Sequence, residues 1–168
     1  MKRFQNMIRS RTIWLILLVL PLGSSGTLLA QDKHINVAVQ GNKLVFLNSQ
    51  CSDRPGEMGC VTAEYGSSPM ISWELTGDGA EEWAFSGLRF NPTPLQDCTV
   101  SDFDLSEADR QSGNASTAQI VANGKRLQIR DRNRNECITQ YTLSAVSGDG
   151  RQIDSDPVIV NRGGGGPN

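Results

Sequence analysis

The chain has 168 residues, 38% of them hydrophobic, and its 16 basic residues face 18 acidic ones for a net charge of −2. That is enough chain for one domain around a single core, and the balance lacks the basic field of a general nucleic-acid binder. One histidine among 168 residues excludes a type-1 copper centre, which needs two.

Residues 1–30 read as a secretory signal peptide. Lys2, Arg3, Arg9 and Arg11 form a basic start, and Ile13 to Leu22 form an apolar run. Gly23-Ser24-Ser25-Gly26 and Ala30 follow, with cleavage expected after Ala30 and Gly26 as second choice. The apolar run is shorter than the roughly 20 residues of a spanning helix. An uncleaved anchor is the competing reading; after cleavage no stable membrane insertion is expected. All eighteen acidic residues lie beyond Ala30, against twelve of the basic ones, so the exported part carries −6. Its expected location is periplasmic or secreted.

Beyond the signal the pattern is β almost throughout. Ile35, Val37 and Val39 alternate with polar residues, Gly41-Asn42 turns the chain, and "KLVFLNS" runs back as a hairpin. Next come the loop "SDRPGEMG", a strand "CVTAEY", a break "GSSP" and a strand "MISWEL". After the turn "TGDGAE", the strand "EWAFSGLRF" points Trp83, Phe85 and Leu88 inward. "NPTPLQDC" carries two prolines and cannot be a central strand. "DLSEADRQ" fits one helical turn capped by Asp104 or Ser106. "TAQIVANGKRLQIRD" is the strongest hairpin signal, with Asn123-Gly124 at its turn. A last hairpin pairs "TQYTLSAV" with "QIDSDPVIVN" across "SGDGR".

Short strands at regular spacing with turns between them predict an all-β fold, an immunoglobulin-like β-sandwich of about seven to nine antiparallel strands. Trp73 stands where such a core places tryptophan, and Tyr141 where a tyrosine corner falls. Leu143 takes the place of an antibody domain's second cysteine. The expected organisation is a signal over 1–30, one domain over 31–162, and a flexible Gly-rich tail over 163–168. Cys51, Cys60, Cys98 and Cys137 all lie in the exported part, where an even set means two disulfides. Three connectivities are open, and Cys51–Cys60 with Cys98–Cys137 is the favoured one. A zinc site is disfavoured because no CxxC pair occurs.

"EWAFSGLRF", "LQIRDRN", "YTLSAV" and "SDPVIVNR" resemble the DP-EP family of small exported bacterial proteins. The resemblance runs from Trp83 to Arg162. It implies an immunoglobulin-like sandwich and carries no established activity, so it brings no catalytic residues. The four cysteines are outside what it implies.

The candidates for chemistry are few. His34 stands near the expected cleavage site, a poor place for a catalytic base, and no GxSxG or HExxH occurs. Glu81-Glu82 and Asp102/Asp104 are carboxylate pairs that a small secreted hydrolase could use, although such pairs are commonly solvated faces. "DRNRNE" resembles the start of a calcium loop through Asp131, Asn133, Asn135 and Glu136. Glu136 replaces the loop's glycine and Thr142 its final glutamate, which argues for a turn instead. Asn114-Ala115-Ser116 matches a glycosylation sequon, discounted behind a bacterial-looking signal. Trp73, Trp83, Phe85 and Phe90 could stack sugars, but their alternation marks core.

Strand parity puts Arg126, Gln128, Arg130, Arg132 and Arg134 on one face, with Leu127 and Ile129 in the core. The arginines Arg126, Arg130, Arg132 and Arg134 are the candidate surface for an anionic partner, an envelope protein or an anionic glycan. A solvated face that also guards a strand edge is the plainer account. The expectation is an exported, non-catalytic binding or interaction module without cofactor or metal. The alternatives are the carboxylate hydrolase and a calcium-dependent binding module.

Overall fold

The computed structural model describes residues 31–51, 54, 56–91 and 97–165, with only the backbone for Asp97 and Cys98. The apolar alternation near the start becomes β1 (Lys33–Gln40), which turns at Gly41 into β2 (Lys43–Phe46) with Val37 opposite Phe46. Gly41 takes a φ of 62°, the left-handed geometry such a turn needs. β3 (Val61–Ala63) follows the Cys51–Cys60 disulfide, whose Cα atoms lie 5.5 Å apart. β4 (Met70–Leu75) and β5 (Trp83–Phe90) flank a single 3-10 turn, Ala80–Glu82. Two short helices come next, α1 (Asp97–Phe103) and α2 (Glu107–Ser112). The rest is β6 (Gln119–Val121), β7 (Arg126–Arg130), β8 (Glu136–Ser147), β9 (Gln152–Ser155) and β10 (Val158–Arg162).

These strands form two sheets, β2-β1-β4-β7-β6 and β3-β10-β8-β5, with β9 also on β8. Ten strands are present among the described residues, and not all pairs are antiparallel. β1 runs parallel to β4, and β3 parallel to β10. Each parallel pair joins strands separated by a crossing between sheets, and side-chain alternation carries no information about strand direction. The expected final hairpin forms, but its return strand is split into β9 and β10, both antiparallel to β8. Pro157 sits at the split without an N–H, while its carbonyl still accepts from Tyr141 N at 3.0 Å.

One core joins the sheets. Trp73 of β4 and Tyr141 of β8 are fully buried, their ring centroids 5.1 Å apart. Trp73 Nε1 donates to the Tyr141 hydroxyl at 2.8 Å, and that hydroxyl donates to Gly59 O at 3.2 Å. Tyr141 therefore does not make a tyrosine corner, whose hydroxyl returns to nearby backbone. It reaches the disulfide loop in place of its own strand's approach, and burial pushes its phenol pKa up. In β5 the register slips between Phe85 and Gly87. That bulge lets Trp83 and Phe85 share the inner face with Leu88 and Phe90, which have the opposite parity.

The helix expected in "DLSEADRQ" is α2, with Ser106 as its cap. Ser106 and Asp109 form a reciprocal capping box, and Gly113 closes the helix at a φ of 76°. The hydroxyls of Ser116 and Ser106 hold the Asp109 carboxyl below its ordinary pKa. α1 packs beside β8, where Thr99 and Thr139 join their hydroxyls at 3.0 Å. The expected Cys98–Cys137 bridge lies outside the described residues. So does the signal peptide. No helix among the described residues is long and apolar enough to cross a membrane.

Candidate functional site

The segment Arg126–Asn135 carries two polar surfaces on opposite sides of one chain. Leu127 and Ile129 are buried, and the alternation continues past β7, with Asp131 and Asn133 also fully buried. Parity alone sends a carboxylate and an amide inward while the arginines point out.

Inside, α1 and β10 converge on the loop that carries Asp131. Its Oδ1 accepts from Asn133 N at 2.8 Å, an Asx turn, and from Asn161 Nδ2 of β10 at 3.1 Å. The same Asn161 Nδ2 donates to Asp102 Oδ2 of α1 at 2.9 Å. Asp102 Oδ1 takes Arg134 N at 2.8 Å and Asn135 Nδ2 at 3.2 Å, and Cys137 Sγ lies 3.8 Å from Asp102 Oδ2. Asp131 Oδ2 and Asn161 Oδ1 are buried without a hydrogen-bond partner. Burial, above all, raises the Asp131 carboxyl to about 7, and the charge of Asp102 adds to that.

This knot grips the glycine segment after β10. Asn133 Oδ1 accepts from Gly163 N at 2.8 Å, and its Nδ2 donates to Glu64 O and Ser67 O at 2.7 and 3.2 Å. Gly164 N donates to Arg134 O at 3.3 Å and Gly165 N to Asn133 O at 2.8 Å. A Cβ added at Gly165 would overlap the carbonyl oxygens of Arg132 and Ser67. Gly163–Gly165, expected as the start of a flexible tail, are thus seated between two loops. Glycine is needed there for close backbone approach, which composition alone reads as looseness. Residues 166–168 lie outside the described residues.

The calcium-loop residues do not gather round one point. Asp131 and Asn133 turn inward, Asn135 reaches Ser101 Oγ at 2.7 Å, and Glu136 is exposed. Among the described residues no group of three His, Cys, Asp or Glu side chains could hold a metal ion. The carboxylate pairs are also dispersed. Asp102 is buried, while Asp104 is half-exposed and paired with Arg132 at 2.5 Å. Glu81 and Glu82 are exposed on the 3-10 turn. The backbone carbonyls of that turn and of Trp83 hold Lys125 Nζ instead, at 2.8, 2.9 and 2.5 Å.

On the outer face the four arginines divide. Arg126 and Arg130 stand on β7, but Asn133 takes a φ of 48° and turns the chain after the strand ends. Arg132 then meets Asp104, and the Arg134 backbone amide meets Asp102. The expected stripe therefore ends at Arg130. What continues the face is the neighbouring strands. His34, Ser72, Gln128 and Gln119 stand side by side across β1, β4, β7 and β6. Beside them stand Asn36, Glu74 and Arg126, with Glu74 Oε2 3.0 Å from Arg126 Nη2 and 3.2 Å from His34 Nε2. Arg130 is exposed and donates to Ser68 O at 2.8 Å.

Asn161 carries no sequence expectation, and Asp102 enters only as half of a carboxylate pair with Asp104. Asp102 has no local signal tying it to Asp131, whereas Asn161 is a polar residue closing the apolar run "VIVN", a visible anomaly for a buried strand. No family model matches the chain, and no curated protein matches it.

Proposed function

We propose that this is an exported, non-catalytic binding module of immunoglobulin-like type, working in the periplasm or outside the cell through the outer face of its β2-β1-β4-β7-β6 sheet. The observation that carries the reading is the polar lattice on that face. Two rows of hydrogen-bonding side chains, His34–Ser72–Gln128 and Asn36–Glu74–Arg126, lie in register across β1, β4 and β7, and exposed Arg130 stands beyond them opposite Met70. A sheet face with alternating donors and acceptors suits an extended polar partner, either an anionic glycan or an acidic envelope protein. Glu74 shields Arg126, so a partner carboxylate or sulfate would replace Glu74 at that guanidinium and add a second contact at Arg130. With −6 on the exported chain, short-range hydrogen bonds would count for more than long-range attraction.

The reading excludes nucleic acid as partner and needs no cofactor. The carboxylate arrangement favours it over a hydrolase, because the two carboxylates that share a partner, Asp102 and Asp131, are both fully buried. The test is capture from envelope extract and binding to sulfated or uronate polysaccharide, wild type against Arg126→Glu/Arg130→Glu. Binding should weaken by about tenfold or more, the worth of one charge-assisted contact near 1.4 kcal/mol. Unchanged affinity would overturn the assignment of this face.

A further inference from the structure

The buried knot does something that the binding face does not require. Two carboxylates share one neutral amide, and among the described residues no cationic side chain bonds to either. The groups that meet Asp131 and Asp102 are Asn133 and the Arg134 and Asn135 positions of the loop, Asn161 of β10 and Cys137 of β8. The 64–69 loop contributes only Pro69 O, which accepts from Asp131 N at 3.0 Å. Of the charged side chains around the knot, Arg132 is held by Asp104, Arg134 has its Nε buried with no hydrogen bond to either carboxylate, and Glu136 and Arg162 line the groove beside Asn161. An unpaired charge in such a place is costly, and a proton is the smallest group that removes it.

We propose that the Asp102–Asp131–Asn161 knot is a proton-operated catch. With Asp131 protonated it holds Gly163–Gly165 between the 64–69 and 131–135 loops, and loss of that proton lets the segment go. The mechanical link is Asn133. Its backbone amide is fixed by Asp131 Oδ1, while its side chain and carbonyl bind Gly163 and Gly165. The proton sits on Asp131 Oδ2, the oxygen that accepts no hydrogen bond. On its release to solvent, two negative charges face one Asn161 amide, and their repulsion acts on the loop that seats the glycines. Solvent lies close by, because Asn161 and Cys137 line a surface groove of about 490 Å³. Burial holds the Asp131 carboxyl near 7, so the catch operates around neutral pH. It is closed on the acidic side and opens on the alkaline side. The inference rests on this knot alone and is independent of the binding face.

The experiment is an NMR titration of the full exported chain from pH 5 to 9. It follows the Asp131 side-chain carboxyl carbon and the amides of Gly163, Gly164 and Gly165. One shared midpoint near pH 7 is expected, and in Asp131→Asn the glycine amides should keep their low-pH positions throughout. An Asp131 midpoint in the ordinary carboxylate range near 4, or glycine amides that ignore the Asp131 transition, overturns the proposal. The wild-type titration alone decides if the variant does not fold. Restoration of the low-pH spectrum at pH 8 by added calcium also overturns it, since a cation would then be the natural occupant.

Discussion

Glu74 and Asp131 touch the same short stretch of chain from opposite sides, and they meet opposite conditions. Glu74 lies on the outer sheet face between Arg126 and His34, about a third exposed. Water screens that cluster, and surface ion pairs of this kind contribute roughly 0–1 kcal/mol. Asp131 is fully buried beside Asp102, with no cation bonded to it among the described residues and one oxygen left without a partner. Its environment is where a change of charge matters. Charge density in a sequence therefore says little about where the electrostatic energy resides. Parity and burial decide it.

The largest break in that comparison is expected from pH. The Asp131 carboxyl is raised in the folded chain, so the folded state binds the extra proton between about pH 4 and 7. Its stabilising contribution is full below about 4 and is lost as pH rises through about 7. Relative to Asp131→Asn, wild type should lose roughly 4 kcal/mol of unfolding free energy across that window, from about three pKa units at 1.36 kcal/mol each. Parallel denaturant melts at pH 4.5 and pH 8.5 measure it, and curves that stay parallel would refute it.

A smaller effect is expected from Asn161→Leu. This removes the shared amide donor and leaves Asp102 and Asp131 without their common partner. A loss of about 2–4 kcal/mol should follow in chemical denaturation at pH 8, easing at low pH where Asp131 is neutral. The smallest is Glu74→Gln on the outer face. It should change stability by less than about 1 kcal/mol, and that little should vanish in high salt. A cost as large as that of Asn161→Leu would erase the distinction between the two sides.

Much of the fold was legible because its causes are local. Hairpin turns at Gly41-Asn42 and Asn123-Gly124 declare themselves through residues that accept positive φ. The inward ranks of Ile35, Val37, Trp73, Leu127 and Ile129 follow from a side-chain period of two. The Ser106 cap is readable from hydroxyl and carboxylate three residues apart. The parallel pairs were not legible, because pairing direction depends on which sheet the chain crosses to. The bulge in β5 showed only as a parity conflict between Phe85 and Leu88.

Of the candidate site, the arginines could be assigned to the outer side, but not their partners. Arg132 was read as part of a stripe because Asp104 lies 28 positions away on another element. The glycines were read as a tail because composition cannot distinguish freedom from close approach.

By itself the sequence determined the β character and the inward side of Leu127 and Ile129 against the outward side of Arg126, Gln128 and Arg130, and it favoured the Cys51–Cys60 loop. Those follow from backbone geometry within a few residues. Only the tertiary structure decided that Asp102, Asp131 and Asn161 share one amide and that Gly163–Gly165 close over it. Those contacts join segments 29 to 59 positions apart, and burial around them turns an ordinary aspartate into one that holds its proton near neutral pH.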